Sequence, residues 1–224
     1  MKKAIFLCLI LSIILIGCSN NSNTTNKSVT TERNQDIKSN STNSNNGIPS
    51  YYQDYIVSPQ VIDDRTILEI GQSFKDHKGE GILKAINNET NTFLIGQIEL
   101  TIREVKILQF KPDYSLIDFY HSYTQAQEFD FIKLFVEIKN TSNKPLKFAP
   151  AAIINTNSGE KKTWEDDIYL EELNGQIEAN AKKKGNIGFI LEESDIDSIE
   201  ITTSDVFNQT DKKITDAGKI QIEF

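Results

Sequence analysis

The chain has 224 residues, 38% of them hydrophobic, with a net charge of −8, which suits one acidic globular domain carrying an appendage. Its basic residues are scattered and form no basic face for phosphates, which argues against a nucleic-acid partner. The two cysteines (Cys8, Cys18) and two histidines (His77, His121) are too few and too far apart for a disulfide framework or a zinc site built on nitrogen and sulfur.

The chain opens on Met1-Lys2-Lys3 and continues as an apolar run from Ala4 to Ile16, interrupted by Ser12 alone. A helical membrane span needs about 20 residues, so this run is too short to cross a bilayer. A basic start, a short apolar stretch and a small residue at Gly17 predict a secretory signal over residues 1–17. Leu15-Ile16-Gly17-Cys18 resembles the lipobox of bacterial lipoproteins, which implies cleavage between Gly17 and Cys18 and a diacylglyceryl group on the Cys18 thiol. Two acyl chains hold a protein at a membrane where one holds it only marginally. The expected location is therefore the extracellular face of the cell membrane, anchored by lipid rather than spanning. The alternative, a cysteine at the end of a core helix, finds large apolar side chains nearly absent from the next 30 residues.

Residues 18–50 are expected to be the lipidated cysteine and a disordered tether. From Ser19 to Ser50, 21 of the 32 residues are Asn, Ser or Thr, and such a segment cannot bury enough apolar surface to offset its ordering entropy. As a coil it would span roughly 30 Å. Richness in Asn, Lys and Ile hints at an AT-rich, Gram-positive source.

Residues 51–224 are expected to fold as an antiparallel β-sandwich, with 51–95 an N-terminal extension of undefined strands around a Gly79/Gly81 turn. Ile98, Leu100 and Ile102 alternate with polar residues, and the phase slips at Arg103-Glu104 before Val105 and Ile107, the mark of a β-bulge. Ile132, Leu134, Val136 and Ile138 give the clearest strand, followed by turn chemistry from Asn140 to Pro145. Further strands are predicted at Phe148–Asn155, Lys184–Leu191, Ser198–Thr203 and Lys219–Phe224, with a helical turn within Trp164–Leu173.

The segments GQIELTIREVKIL, FIKLFVEIKNTSNKPLKF, IINTNSGEKKTW and EANAKKKGNIGFILEESDIDSIEI together resemble the immunoglobulin-like extracellular lipoprotein domain of Gram-positive bacteria, related to a secreted mycobacterial immunoprotective antigen. The resemblance covers roughly residues 66–224. It departs from the family at Ala179–Gly185, where lysines replace a Pro-Gly pair, and at 72–95, which reads as an insertion. It implies an immunoglobulin-like fold at the cell surface and no established activity.

Neither histidine lies in a recognised nucleophile motif, and no HExxH, P-loop or dinucleotide-binding glycine pattern occurs, so no catalytic residue and no cofactor are expected. Acidic clusters at Asp63-Asp64, Glu165–Asp167, Glu171-Glu172 and Glu192–Asp197 lack the calcium-loop ligand ladder and read as solvated, with a loop calcium site or small-ligand site as the alternative function. Tyr114, Tyr120 and Tyr123 form a candidate recognition patch, set against the reading that they pack over a sandwich edge. The expected role is non-enzymatic contact with a surface protein or wall component.

Overall fold

A computed structural model describes residues 47–224; the signal, the lipidation site at Gly17-Cys18 and the tether up to residue 46 lie outside the described residues. The chain enters through a 3-10 turn, Ser50–Tyr52, and an irregular stretch to Gln72, here termed the strap. Four strands follow: β1 (Ser73–Asp76), β2 (Gly79–Asn87), β3 (Asn91–Ile95) and the 15-residue β4 (Ile98–Pro112). A 3-10 turn at Tyr114–Leu116 and the short α1 (Ile117–Tyr120) lead into β5 (Phe129–Asn140). Then come β6 (Leu146–Phe148), β7 (Ile153–Thr156), β8 (Lys161–Thr163), a 3-10 turn at Trp164–Asp166 and β9 (Gly175–Ile177). The chain ends with β10 (Lys182–Leu191), β11 (Ser198–Thr202), β12 (Val206–Asn208), β13 (Lys213–Thr215) and β14 (Lys219–Glu223).

Every strand pairing among the described residues is antiparallel. One layer is a six-stranded sheet in the order β1-β2-β4-β5-β10, with β3 also on β4. The facing layer comprises two four-stranded sheets, β14-β11-β7-β8 and β13-β12-β6-β9. Their orders match because four stretches of chain pass from one sheet into the other: β6 to β7, β8 to β9, β11 to β12, and β13 to β14. The first crossing contains Pro150, which has no N–H for a ladder. This is why the single strand expected over 148–155 is divided in two.

The alternation read from sequence fixes the main core. Ile98, Leu100, Ile102, Ile132, Leu134, Val136, Ile138, Ile187 and Phe189 point from the six-stranded sheet toward Ile154, Ile199, Ile201, Ile220 and Ile222 of the other layer. Each such buried side chain contributes about 1.5–3 kcal/mol relative to exposure. The turn after β5 is organised by fully buried Asn140, whose Nδ2 donates to the carbonyls of Lys144 (2.7 Å), Ile177 and Glu178 (3.1 Å each).

Two expectations need correction. Ile67, Leu68 and Ile70 form no strand, and the β1–β2 turn lies at His77-Lys78 rather than at Gly79/Gly81. Both glycines belong to β2, where an added Cβ would fall 2.4 Å from the Lys111 carbonyl oxygen (Gly79) or 2.3 Å from that of Gln109 (Gly81). They are required by close backbone approach to β4.

Candidate functional site

The bulge at Arg103 is where the sheet gains a second buried face. Ile102 pairs with Val136 and Glu104 with Phe135, leaving Arg103 as the extra residue. Beyond it Val105 and Ile107 continue the main core, while Glu104, Lys106, Leu108 and Phe110 turn to the opposite face. From β5, Phe129, Phe131, Lys133 and Phe135 share that face. The strap covers it, with Val61, Ile62 and Ile67 packing on Leu83, Leu108, Phe110 and Phe131.

Four charges are sealed beneath the strap. Lys133 and Lys106 side chains have no exposed surface, nor has Glu104, and Asp64 retains only 4%. Lys133 Nζ lies 2.6 Å from Asp64 Oδ2 and 3.1 Å from Glu104 Oε1, and Lys106 Nζ lies 2.9 Å and 3.0 Å from the same two carboxylates. The set is neutral overall, two ammoniums against two carboxylates. Burial alone would raise the Asp64 carboxyl, but the two ammoniums hold it at about 2; Glu104 is lowered on the same balance. Tyr51 and Tyr52 donate to Glu104 Oε2 (2.6 Å) and Oε1 (2.5 Å). Their rings and that of Tyr55 gather on Phe135, with centroids 4.2 to 5.6 Å away.

The strap has few ladder bonds of its own, and lysines take their place. Lys78 Nζ donates to the carbonyls of Ser58 (2.7 Å) and Val61 (2.8 Å), and Lys106 Nζ to that of Asp64 (3.0 Å). Lys184 Nζ donates to the carbonyls of Tyr51 (3.2 Å) and Gln53. With Lys133 on the Asp64 carboxylate, four lysines fasten the segment where the chain enters the domain. A count of charges reads them as surface residues; the signal of their role is that Lys133 stands between phenylalanines at 131 and 135.

The three candidate patch tyrosines are not brought together as an exposed surface. Tyr120 is 1% exposed, its ring against Phe110, Phe119 and Phe129 and its hydroxyl donating to the Gln60 carbonyl (3.0 Å). Tyr123 is half-buried and reaches the Asp167 carbonyl (3.4 Å), while Tyr114 projects into solvent at 86% exposure. Apolar ring burial has drawn Tyr120 inward while Tyr114 stays in solvent, so the three do not share one exposed surface.

The acidic clusters are also divided among separate duties. Asp63 pairs with Arg65 (2.7 Å), Asp64 sits between the buried lysines, and Asp167 accepts the N–H groups of Gly188 (2.9 Å) and Tyr169 (3.0 Å). Burial pushes the Asp167 carboxyl up to about 6 against those donors. Glu171 accepts from the Tyr55 hydroxyl (2.5 Å) and the Asn186 N–H (2.9 Å). Among the described residues no group of three or more His, Cys, Asp or Glu side chains gathers as for a metal, and no hydroxyl is hydrogen-bonded to either histidine.

A cleft of about 850 Å³ opens at the far end of β4, β5 and β10. Its walls include Lys84, Gln109, Tyr123, Gln125, Asp130 and Glu192. Lys84 is held by Asp130 (3.0 Å) and Lys162 by Glu160 (2.8 Å). Ile190, on the wall, lies six residues along β10 from Lys184, where the strap is fastened, or about 20 Å at strand rise. Among the described residues, none of the strap lines the cleft.

No family model matches the chain. It is 44% identical over 238 residues to the uncharacterized protein YdhF of Bacillus subtilis (strain 168), an alignment covering 99% of this chain and 100% of that protein. The chain belongs to the YdhF family. Among solved structures, a functionally unknown protein from Listeria monocytogenes EGD-e is similar to this chain at 15% identity and a TM-score of 0.49, covering 65% of this chain and 87% of the other. A conserved hypothetical protein from Bacillus anthracis gives 12% identity and a TM-score of 0.35, with 58% and 95% covered. Among the described residues of this YdhF-family chain, no helix is long and apolar enough to cross a membrane.

Proposed function

We propose that this chain is a lipid-anchored protein of the extracellular face of the cell membrane that binds a surface protein or wall component and performs no chemistry of its own. The observation that carries the binding half of this reading is the cleft. It is lined by amides, hydroxyls and charged groups without a nucleophile and base in contact, and is held clear of the point where the chain enters the domain. The anchoring half rests on the Leu15–Cys18 pattern after a short apolar run, followed by a polar stretch long enough to lift the domain off a bilayer. The resemblance to the immunoglobulin-like extracellular lipoprotein domain points the same way.

The test is fractionation of cells expressing the chain with Cys18 intact or as Cys18→Ser. The intact chain is expected in the detergent phase and open to protease added to whole cells, and Cys18→Ser in the medium or held as precursor. Detergent partitioning unchanged by the substitution, or a chain protected from external protease, would overturn the anchor.

A further inference from the structure

The cleft wall includes Ile190, a position on a sheet edge whose side chain is buried in the second core. In the six-stranded sheet β10 is terminal. Asn140 N–H donates to the Ala181 carbonyl (3.0 Å), so by antiparallel alternation the odd-numbered residues of β10 turn their peptide groups to β5 and the even-numbered ones turn outward. Most of that outward edge in the second half of the strand is already closed by carboxylates. Asn186 N–H donates to Glu171, Gly188 N–H to Asp167, and Glu192 N–H, just past the strand, to Glu160 (3.0 Å). The Gly188 carbonyl accepts from Ile168 N–H (2.9 Å). Between these plugs stands Ile190, whose outward N–H and C=O meet no partner among the described residues and which lines the cleft.

The charges around this position are unbalanced. Both cleft lysines lie within 3.0 Å of acids, Lys84 with Asp130 and Lys162 with Glu160. Glu128, Glu192 and Glu193 are exposed on the rim, and only Glu192 comes near a cation, 3.8 Å from Lys162. An unpaired edge residue asks for another extended backbone, and an acidic rim asks for cations.

We propose that the cleft receives an extended, lysine- or arginine-bearing polypeptide segment that adds to β10 at Ile190 and sets its basic side chains among Glu128, Glu192 and Glu193. This rests on the reading of the chain as a binding module and names the class of its partner. Because the flanking plugs limit pairing to one residue, two backbone bonds fix register and the rim charges supply much of the attraction. Binding is therefore weak and salt-sensitive.

The test uses the full chain, isotopically labelled in detergent micelles, and a capped octapeptide of alternating lysine and valine. Saturable binding is expected, with the Ile190 amide shifted and slowed in exchange, and with little binding of a glutamate-valine counterpart. N-methylation of alternate residues in one parity of the peptide should weaken binding about tenfold, the loss of roughly one hydrogen bond, and the other parity should leave it unchanged. The exposed substitutions Glu128→Lys, Glu192→Lys and Glu193→Lys together should weaken it at least tenfold, with the melting temperature retained. No saturation at millimolar peptide, equal binding of both N-methylated peptides, or shifts confined to amides away from the cleft would overturn the proposal. These readouts are independent of Cys18, so failure of the anchor and failure of the peptide site are separable.

Discussion

Lys133 illustrates how one side chain can be indispensable without being a net source of stability. Removing two charges from water costs several kcal/mol per ion, and mutual attraction plus hydrogen bonds recovers it only if every partner remains. Lys133 holds Asp64, Glu104 and the Tyr52 hydroxyl at once. Lys133→Met would leave two buried carboxylates facing Lys106 alone, and about 3–5 kcal/mol of stability should be lost. Adding Asp64→Asn restores one ammonium to one carboxylate, so the double variant should be more stable than Lys133→Met by at least ~1 kcal/mol in urea unfolding. Strict additivity of the two substitutions would mean the charges do not act as a unit.

At the scale of elements, the bulge in β4 decides which residues face which core. Deleting Arg103 removes the extra residue and closes a regular ladder in which Glu104 and Lys106 still face the strap and Val105 and Ile107 the main core; a cooperative melt is expected, and its loss would mean that the local geometry of the bulge is itself required. Arg103→Ala keeps the residue count and loses only the half-exposed pair with Glu137 (2.9 Å), so it should cost less than ~1 kcal/mol. Calorimetry of the two variants separates the local geometry of the bulge from the charge of Arg103. The bulge was legible because the period of two slips visibly between Ile102 and Val105, and the main core was legible because the Ile132–Ile138 alternation admits one buried face. The divided second layer was less so, since a proline crossing looks like any strand with a turn residue. The strap could not be read at all: it has no period, and the groups that hold it are lysines 78, 106, 133 and 184, scattered far along the chain. The candidate site suffers the same limit, because Lys84, Asp130 and Ile190 meet only once four strands, β2, β4, β5 and β10, are in register.

For the molecule as a whole, the sheet between two apolar clusters makes the strap a structural layer rather than an extension. A chain starting at Arg65 would lack Tyr52, Val61, Ile62 and Asp64, leaving Lys78 without its carbonyl partners, Lys106 and Lys133 sharing Glu104 alone, and the Leu108–Phe131 face bare. Loss of those contacts exceeds the few kcal/mol by which domains of this size are stable, so this truncation should be insoluble or lack a cooperative transition by circular dichroism. A chain starting at Gly47 retains every contact described for the strap and should melt within about 2 °C of the full chain, since the tether before it carries only Val29 and Ile37 as large apolar residues. The consequence bears on the anchor proposed at Cys18. Any pull through the tether enters at Ser50 and acts first on the lysine-held strap, so the buried charges set how firmly the domain is attached to its own leash. Equal melting of the Arg65-start and Gly47-start chains would remove the strap from the fold and that mechanical role with it.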